Sequence, residues 1–346
     1  MSSILDRFGP QGQSWRIAAA LLTVYLVWGT TYYALNLAMQ TMPAVLMNGL
    51  RFLVAGLAML AIARWQGLAW PTAAQWPACA LIGALMAFAA MALVVLAQQA
   101  GIGSGLMATV VTTMPMWLAL WTHWGGERVP VTSWLGLVLG ATGAMLLALE
   151  GDFSTTLLGT LCAFGAPLAW SIGSYASRRL TLPAPAMASA AQWLLGGGIG
   201  ILAALAFEPG ARDFSVAQVS AVSALAWLYL VVAGTLVTLN AYLWLLKNTS
   251  TALAGSYSFV NPVVALAVGV WLGGEHLTGW VFVALPLIAA ALALILYGAP
   301  VLAAARALGR RLRSARAAAG GAAEVRPCRD LGGSVNAPPQ RSSRRA

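Results

Sequence analysis

The sequence predicts an all-α polytopic membrane protein with ten transmembrane helices, arranged as two inverted five-helix repeats. The prediction rests on an apolar composition, ten apolar runs of membrane-spanning length and internal similarity between the halves. Of the 346 residues, 60% are hydrophobic and 8% are charged, whereas about 25% of a soluble domain is charged. So few charges cannot cover a soluble globule of this size, and the composition therefore excludes a soluble enzyme or nucleic-acid-binding domain.

Ten apolar runs have the length of transmembrane helices. A helix needs about 20 apolar residues to cross the hydrocarbon core of a bilayer. Charged or turn-rich segments separate the runs, so each run is predicted to be one crossing. The predicted spans are 15–38, 42–63, 75–98, 102–124, 130–149, 155–177, 184–207, 219–246, 250–273 and 277–298.

The basic residues between the spans predict the orientation. If the N-terminus is cytoplasmic, the outer loops contain one basic residue, Arg212. Apart from the C-terminal tail, the basic residues of the inner side are then Arg7, Arg16, Arg64, Arg128, Arg178, Arg179 and Lys247. Cytoplasmic loops are enriched in lysine and arginine. We therefore expect a multi-pass membrane protein with both termini in the cytoplasm.

Most of the net charge of +10 comes from the C-terminal tail. Ten arginines lie from Arg306 onward, opposed only by Glu324 and Asp330, so the tail carries +8 of the +10. The apolar body is nearly neutral, and the high pI does not indicate a nucleic-acid partner. The tail is predicted to be a basic, disordered cytoplasmic segment.

The two halves of the sequence repeat each other at two offsets. A shift of 142 residues aligns span 1 with span 6, so that Trp28 meets Trp170. A shift of 147 aligns span 4 with span 9, so that Pro115 meets Pro262. Because each unit has an odd number of spans, the second must be inverted, as in many secondary transporters. The predicted domains are an N-terminal segment 1–14, a first repeat 15–150, a second repeat 151–298 and the tail 299–346.

Several short segments together resemble a known family. They are Trp28-Gly29-Thr30-Thr31-Tyr32, Arg51-Phe52-Leu53, Asn240-Ala241-Tyr242, Ser256-Tyr257-Ser258-Phe259-Val260-Asn261-Pro262 and the two Gly-Gly-Glu segments ending at Glu127 and Glu275. With them, residues 17–298 resemble the EamA family of the drug/metabolite transporter superfamily, close to its YedA-like members. The resemblance implies ten helices as two inverted five-helix repeats, and export of small metabolites or drugs from the cytoplasm.

Apart from Arg16 at the very start of span 1, Arg51 is the one formally charged residue inside any predicted span. A charge in the hydrocarbon core costs about 2.5–3.5 kcal/mol on insertion scales. Arg51 either snorkels or caps backbone carbonyls, or it faces a central cavity as a hydrogen-bond donor. Its equivalent in the other half is Trp193, and this asymmetry favours a site for one substrate. Because a guanidinium can grip a carboxylate with two hydrogen bonds, an anionic or zwitterionic substrate is expected.

Spans 1 and 6 carry aromatic and polar residues at matching positions. Trp28, Tyr32 and Asn36 are spaced by four residues, which predicts that they share one helix face. Trp170 and Ser174 occupy equivalent positions in span 6. These side chains either pack between neighbouring helices or form the wall of a substrate cavity, since aromatic rings offer both apolar faces and polar edges.

Two prolines are predicted to interrupt spans 4 and 9. Pro115 and Pro262 each remove a backbone donor and free a carbonyl one turn earlier. The resulting break is either a stable kink or a hinge that lines the pathway. Asn240, Tyr257 and Asn261 are further candidates for substrate binding.

Acidic residues are absent from the predicted spans. The carboxylate relay on which proton-coupled transporters commonly rely is therefore missing. Proton coupling would have to use Glu127 and Glu275 at helix ends, which are candidate gate or coupling residues, or not occur. Three cysteines and two histidines, all widely separated, do not indicate a metal site or a disulfide framework.

With this resemblance, the predicted function is export of a small metabolite or drug by alternating access, across the bacterial inner (plasma) membrane. The expected partners are a small-molecule substrate and the lipid bilayer. No catalytic residue, metal or cofactor is expected. The spacings Gly136-x-x-x-Gly140 and Gly196-x-x-x-Gly200 permit close helix approach. A homodimer is therefore possible, but the spacings do not establish one. The rival interpretations are a multi-pass membrane enzyme, which needs a cluster of His, Asp, Glu or Cys, and a non-transporting membrane scaffold, which needs no polar residues within its spans.

Overall fold

The computed structural model describes most of the chain as helix. The described residues are 9–102, 107, 110–148, 157–273, 280, 282–284, 286–291, 293–295, 297–298, 301–302 and 307. No strand occurs among them. The chain divides into a unit of residues 1–299 and a unit of residues 300–346. The predicted tail therefore lies almost wholly outside the described residues, and the helices below belong to the first unit.

The helices follow the apolar runs of the sequence. Their bounds are α1 Gly9–Ala38, α2 Ala44–Trp65, α3 Trp76–Gln99, α4 Met114–Trp124, α5 Val131–Ala148, α6 Leu157–Arg179, α7 Pro185–Phe207, α8 Ala221–Asn248, α9 Tyr257–Gly273 and α10 Phe282–Ile295. A one-turn helix, Thr251–Gly255, precedes α9. The all-helical class predicted from the sequence is confirmed over the described residues.

Six helices are long and apolar enough to cross a membrane, by length and composition. They are α1, α2, α3, α6, α7 and α8. The helices α5 and α10 contain shorter apolar stretches, Val131–Gly143 and Phe282–Ile295. The beginning of predicted span 4 and the end of α5 lie partly outside the described residues, as does the segment between α9 and α10. The six helices include both helices at the start of each sequence repeat.

The helices α2 and α7 pack along each other through glycines. A Cβ added to Gly56 would lie 2.8 Å from the backbone nitrogen of Leu194, and one added to Gly197 would lie 2.6 Å from that of Leu53. Both distances are too short for any side chain, so the close approach requires glycine at these positions.

The end of α7 also caps the start of α2. The Glu208 carboxylate accepts hydrogen bonds from the backbone N–H groups of Val45 and Leu46, each at 2.9 Å. The first N–H groups of a helix have no partner within the helix, and its N-terminus attracts negative charge. Glu208 therefore satisfies two of these donors and fixes α2 against α7.

The contacts between a helix of the first half and a helix of the second keep their pattern when the halves are exchanged. In this exchange α1, α2, α3 and α4 correspond to α6, α7, α8 and α9. The contact of α1 with α9 corresponds to that of α6 with α4, and the contact of α1 with α8 to that of α6 with α3. The contact of α2 with α8 corresponds to that of α7 with α3, while α2 and α7 contact each other. The two sequence repeats thus pack against each other in the same way from both sides.

Two wide helical turns also recur at a fixed offset. Helix α3 is π-helical over Gly83–Ala90 and α8 over Leu230–Val237, eight residues each. The two stretches begin 147 residues apart, the offset that aligns Pro115 with Pro262. In α8, the Thr235 hydroxyl donates to the Leu230 carbonyl at 3.0 Å, which partners a carbonyl of the widened turn. Such π-helical turns occur often at functional sites.

The chain breaks near both predicted prolines, but differently at each. Residues 112–113 form a turn before α4, so Pro115 lies in the first helical turn, where proline is tolerated. Pro262 lies inside α9, and the turn at Ser256 precedes that helix. The two breaks contact each other, since a Cβ on Gly255 would lie 2.7 Å from the Pro115 Cβ. The sequence predicted a break near each proline. Pro115, however, lies at the start of α4, so it does not interrupt a continuous helix, contrary to the prediction.

The glycines of the two spacings noted in the sequence lie at contacts between helices of the same chain. Gly136 and Gly140 of α5 face Ile295 of α10 and Phe259 of α9. In α7, Gly200 faces Gly49 of α2. Within the described residues these glycines serve contacts between helices of one chain, and they offer no support for a dimer.

Candidate functional site

An internal cavity lies between helices of both sequence repeats. The volume that the centre of a water molecule can reach is about 60 Å³, within about 670 Å³ of atom-free space that includes open solvent. The first repeat contributes α1, α2, α3 and the segment around α4, and the second contributes α6, α8 and α9. The lining residues are Trp28, Thr31, Tyr32, Leu35, Arg51, Phe52, Ala90, Met91, Val94, Val111, Met114, Ala166, Pro167, Trp170, Gly234, Leu239, Tyr257 and Asn261.

Six of the nine predicted binding residues line this cavity. They are Trp28, Tyr32, Arg51, Trp170, Tyr257 and Asn261. Although they lie far apart in sequence and on four different helices, the fold brings them to one volume. The other three candidates, Asn36, Ser174 and Asn240, are not among the lining residues.

Four aromatic rings pack together at one side of the cavity. This aromatic cluster consists of Trp28, Trp170, Tyr242 and Tyr257. Trp28 is central, with ring centroids 5.4 Å from Trp170, 5.1 Å from Tyr242 and 4.7 Å from Tyr257. The Trp170 and Tyr257 rings meet Trp28 edge-to-face, an arrangement that aromatic quadrupoles favour. One helix of the first repeat thus contacts three helices of the second through a single indole.

Hydrogen bonds fix the aromatic cluster to its helices. The Trp28 indole Nε1–H donates to the Gly234 carbonyl in the π-helical stretch of α8, at 3.0 Å. The Tyr242 hydroxyl and the Ser174 hydroxyl are hydrogen bonded at 2.8 Å. Since Gly234 lines the cavity and Ser174 does not, Ser174 supports the cluster from behind.

Arg51 reaches the cavity from α2 and is 4% exposed. Its Nε–H donates to the Thr235 hydroxyl of α8 at 2.7 Å, and its guanidinium carbon lies 5.1 Å from the Phe52 ring centroid. Among the described residues it forms no ion pair. The structure places Arg51 among the residues that line the cavity.

Asn261 brings a second polar group to the cavity wall. The residue is 1% exposed, and its side-chain oxygen has no hydrogen-bond partner among the described residues. A buried amide oxygen without a partner costs roughly 1–3 kcal/mol. A ligand donor in the cavity would satisfy it.

The three other candidates have different surroundings. Asn240 accepts from the Ser189 hydroxyl at 2.8 Å and donates to the Leu236 carbonyl at 2.7 Å, so it joins α8 to α7. Asn36 is exposed, away from the cavity that Trp28 lines. Each step of four residues turns a helix about 40° beyond a full rotation. Two such steps from Trp28 carry Asn36 off the shared face, which corrects the predicted three-residue face.

A charged cluster lies at the far end of α6 from the cavity. It consists of Glu127, Arg178 and Arg179. The Glu127 carboxylate is 3.1 Å from the Arg179 Nη2 and 3.6 Å from the Arg178 Nη2. Arg178 also donates to the Leu246 carbonyl at the end of α8, at 2.9 Å. Along α6 the order is cavity, aromatic cluster and charged cluster. The other gate candidate, Glu275, lies outside the described residues.

Sequence reasoning missed several residues of this site. Pro167 lies inside α6 beside the cavity, and the rule that singled out Pro115 and Pro262 applies to it as well. In the sequence, Tyr242 contributed only to the family resemblance, although an aromatic residue within a span can by itself indicate a site. Thr235 and Gly234 act through the π-helical stretch, which no sequence pattern indicated. Among the described residues, no group of three or more His, Cys, Asp or Glu could hold a metal ion.

Comparison with known proteins matches one family model to two segments of the chain. Residues 15–149 and 157–297 each match the EamA-like transporter family. The chain belongs to the EamA-like transporter family. The two matches correspond to the two halves that the sequence repeat identified.

The curated relatives of this transporter cover nearly the whole apolar body. An Escherichia coli (strain K12) protein named "Uncharacterized inner membrane transporter YedA" is 33% identical over 279 residues, which is 81% of this chain and 90% of the relative. A Salmonella typhimurium (strain LT2) protein named "Probable amino-acid metabolite efflux pump" is 28% identical over 301 residues, covering 83% of this chain and 97% of the relative. The resemblance to YedA-like EamA proteins predicted from the sequence is confirmed.

A solved crystal structure has the same fold. It aligns with this transporter at a TM-score of 0.66 and 20% sequence identity, over 81% of this chain and 97% of the other. At this identity the likeness concerns the fold alone.

Proposed function

We propose that this membrane transporter exports a small amphipathic metabolite or drug from the cytoplasm by alternating access. The observation that carries the proposal is the cavity between the two family repeats, bordered by an aromatic cluster to which both repeats contribute. Transporters built from repeats commonly bind substrate near the middle of the membrane, where the repeats meet. A non-transporting scaffold would not need a buried arginine and an unpartnered amide facing one cavity.

The architecture that we propose is ten crossings in two inverted repeats. Its supports are the two matches to one family, the exchangeable helix contacts and the π-helical stretches 147 residues apart. A twofold axis in the membrane plane accounts for all three. Arg51 and Trp193 then occupy equivalent positions, one against the π-helical stretch of α8 and the other near that of α3.

The orientation that we propose has both termini in the cytoplasm of a bacterial inner membrane. The bias of basic residues toward one set of loops supports the orientation. The name of the inner membrane relative from Escherichia coli supports the location. The charged cluster then lies at the cytoplasmic end, with the cavity on the outer side of the aromatic cluster.

We propose that this arrangement serves alternating access. A substrate that enters from the cytoplasm must pass the charged cluster and then the aromatic cluster. Separation of Glu127 from Arg178 and Arg179 would open that route, and their re-pairing would close it behind the substrate. Because these side chains are partly exposed, the ion pairs are weak, about 0–1 kcal/mol each. A gate of this strength can open and close repeatedly.

The proposal is tested by an untargeted metabolite-efflux screen in cells that overexpress or lack the protein. We expect at least one small metabolite to accumulate in the medium of the overexpressing cells. Trp28→Ala should abolish this accumulation, because it removes the central ring of the aromatic cluster. Trp65→Ala is the matched control, since Trp65 is 88% exposed at the end of α2. Identical extracellular metabolites in all strains would contradict the proposal.

A further inference from the structure

The buried guanidinium of Arg51 has hydrogen-bonding capacity that the described protein does not use. Its Nε–H donates to the Thr235 hydroxyl at 2.7 Å. Among the described residues, neither of its Nη groups has an acceptor. Because Arg51 lines the cavity and is 4% exposed, an acceptor for these groups must come from the cavity contents.

The guanidinium is also held in one orientation. The Thr235 hydroxyl donates its proton to the Leu230 carbonyl at 3.0 Å, so its oxygen is left to accept from Arg51. The neighbouring Gly234 keeps the space beside Arg51 free, since a Cβ there would lie 3.2 Å from Nη2. This preorganisation favours a planar acceptor that two parallel N–H groups can bind, as a carboxylate does.

The charge balance of the cavity favours an anion over a cation or a zwitterion. Among the described lining residues, Arg51 is the one charged side chain, and the sequence has no Asp or Glu inside any apolar span. One carboxylate would neutralise Arg51. A second negative charge, or a substrate ammonium group, would have no countercharge in this low-dielectric setting.

The rest of the lining is apolar and aromatic. Trp28, Met91 and Val94 are typical of a wall that contacts an apolar substrate body. The Asn261 side-chain oxygen offers one acceptor to a neutral hydroxyl or amide donor.

We propose that the cavity binds a monocarboxylate with an aromatic or aliphatic body, its carboxylate held by the Nη groups of Arg51. The assignment rests on the proposed function, because it specifies the substrate class of the same cavity. It distinguishes monocarboxylic acids from free amino acids, whose ammonium group finds no countercharge here. Thr235 is a positioning residue that orients Arg51.

The test is titration calorimetry on the full-length protein in lipid nanodiscs, with four probes of similar shape. Hydrocinnamate is the monoanion, hydrocinnamamide its neutral analogue, phenethylamine the cation and free L-phenylalanine the zwitterion. We expect hydrocinnamate to bind most tightly. Arg51→Gln should weaken hydrocinnamate binding about 10-fold or more, and Arg51→Lys less, because lysine keeps the charge without the fork.

Matched measurements separate recognition from misfolding. Hydrocinnamamide affinity should change less than about 3-fold in Arg51→Gln, since the neutral amide forms no ion pair with Arg51. Arg64→Gln is the control, because Arg64 lies at the exposed end of the same helix. Thr235→Val keeps the charge and removes the Nε acceptor. We expect Thr235→Val to weaken hydrocinnamate binding about 3- to 10-fold. If Arg51→Gln does not fold, the assignment is tested with Thr235→Val instead.

Three outcomes would overturn the assignment. They are unchanged hydrocinnamate binding in the folded Arg51 and Thr235 variants, tighter binding of the cation or zwitterion, and no binding of any probe to the wild type at millimolar concentrations. The efflux screen distinguishes failure of the carboxylate assignment from failure of the proposed transporter function. Export of only neutral or cationic metabolites would leave the transporter function intact and remove the carboxylate assignment.

Discussion

At the scale of single residues, Trp28 and Tyr242 join the two repeats. Trp28 belongs to the first repeat, yet it donates to Gly234 and contacts rings on α6, α8 and α9. Tyr242 contacts the other three rings of the cluster and is hydrogen bonded to Ser174. Any relative movement of the halves must therefore change this cluster.

We expect the Tyr242–Ser174 hydrogen bond to contribute to stability more than to transport. Tyr242→Phe keeps the ring and loses the hydroxyl, and Ser174→Ala removes its partner. In thermal unfolding the two changes should couple by about 0.5–1.5 kcal/mol, the size of one hydrogen bond inside a membrane protein. Efflux should persist in Tyr242→Phe and fall in Tyr242→Ala, which removes the ring. Additive effects on unfolding would mean that the bond contributes nothing.

Much of the site could be predicted from residue chemistry alone. An arginine inside a span is costly enough to indicate a specific partner. A tryptophan in the middle of a span lies away from the membrane interfaces that tryptophan favours. Trp28, Trp170 and Arg51 all line the cavity. Asn36 was misplaced because the four-residue step drifts around the helix. Thr235 could not be found, since its role depends on a π-helical turn that brings it to Arg51.

At the scale of helices, the wide turns and the proline breaks lie close to the cavity. The π-helical stretch of α8 supplies Gly234 to the lining, and Thr235 to Arg51. The breaks before α4 and α9 bring Met114 and Tyr257 to the cavity. Irregular backbone inside a membrane is tolerated where it is buried in protein or lines a cavity.

The two prolines should differ in their importance for transport. Pro262 lies inside α9, so Pro262→Ala allows a hydrogen bond that straightens the helix beside Asn261. Pro115 lies in the first turn of α4, where no such bond is missing. At equal protein levels in the membrane, Pro262→Ala should reduce the initial rate of efflux more than Pro115→Ala. Equal rates for both variants and the wild type would mean that neither break acts as a hinge.

At the scale of the whole molecule, the apolar runs predicted the helices better than they predicted the crossings. Runs such as 42–63 and 184–207 became uninterrupted helices, because nothing in them breaks the backbone hydrogen bonds. Runs 102–124 and 250–273 contain turns at residues 112–113 and 256. Hydropathy counts apolar residues, and it cannot tell a continuous helix from one broken by a proline and two hydroxyl side chains.

The inverted repeat makes a sharp prediction about two equivalent residues. Trp65 ends α2 and Phe207 ends α7, 142 residues apart, and their exposed fractions are 88% and 86%. If the repeats are inverted, these positions lie on opposite sides of the membrane. If the repeats are parallel, they lie on the same side. With a cytoplasmic N-terminus, Phe207 should be outside and Trp65 inside.

Cysteine labelling of the full chain can decide between these arrangements. The three native cysteines are replaced by alanine, and Trp65→Cys or Phe207→Cys is introduced singly. In right-side-out spheroplasts, a membrane-impermeant maleimide should label Phe207→Cys at once and Trp65→Cys only after permeabilisation. The native exposure of both side chains means that neither change opens the core. Labelling of both before permeabilisation would contradict the inverted repeat, and the reverse pattern would keep the inversion but reverse the orientation. A reversed orientation would place the charged cluster on the outer side, so the order in which a substrate passes the charged and aromatic clusters would reverse as well.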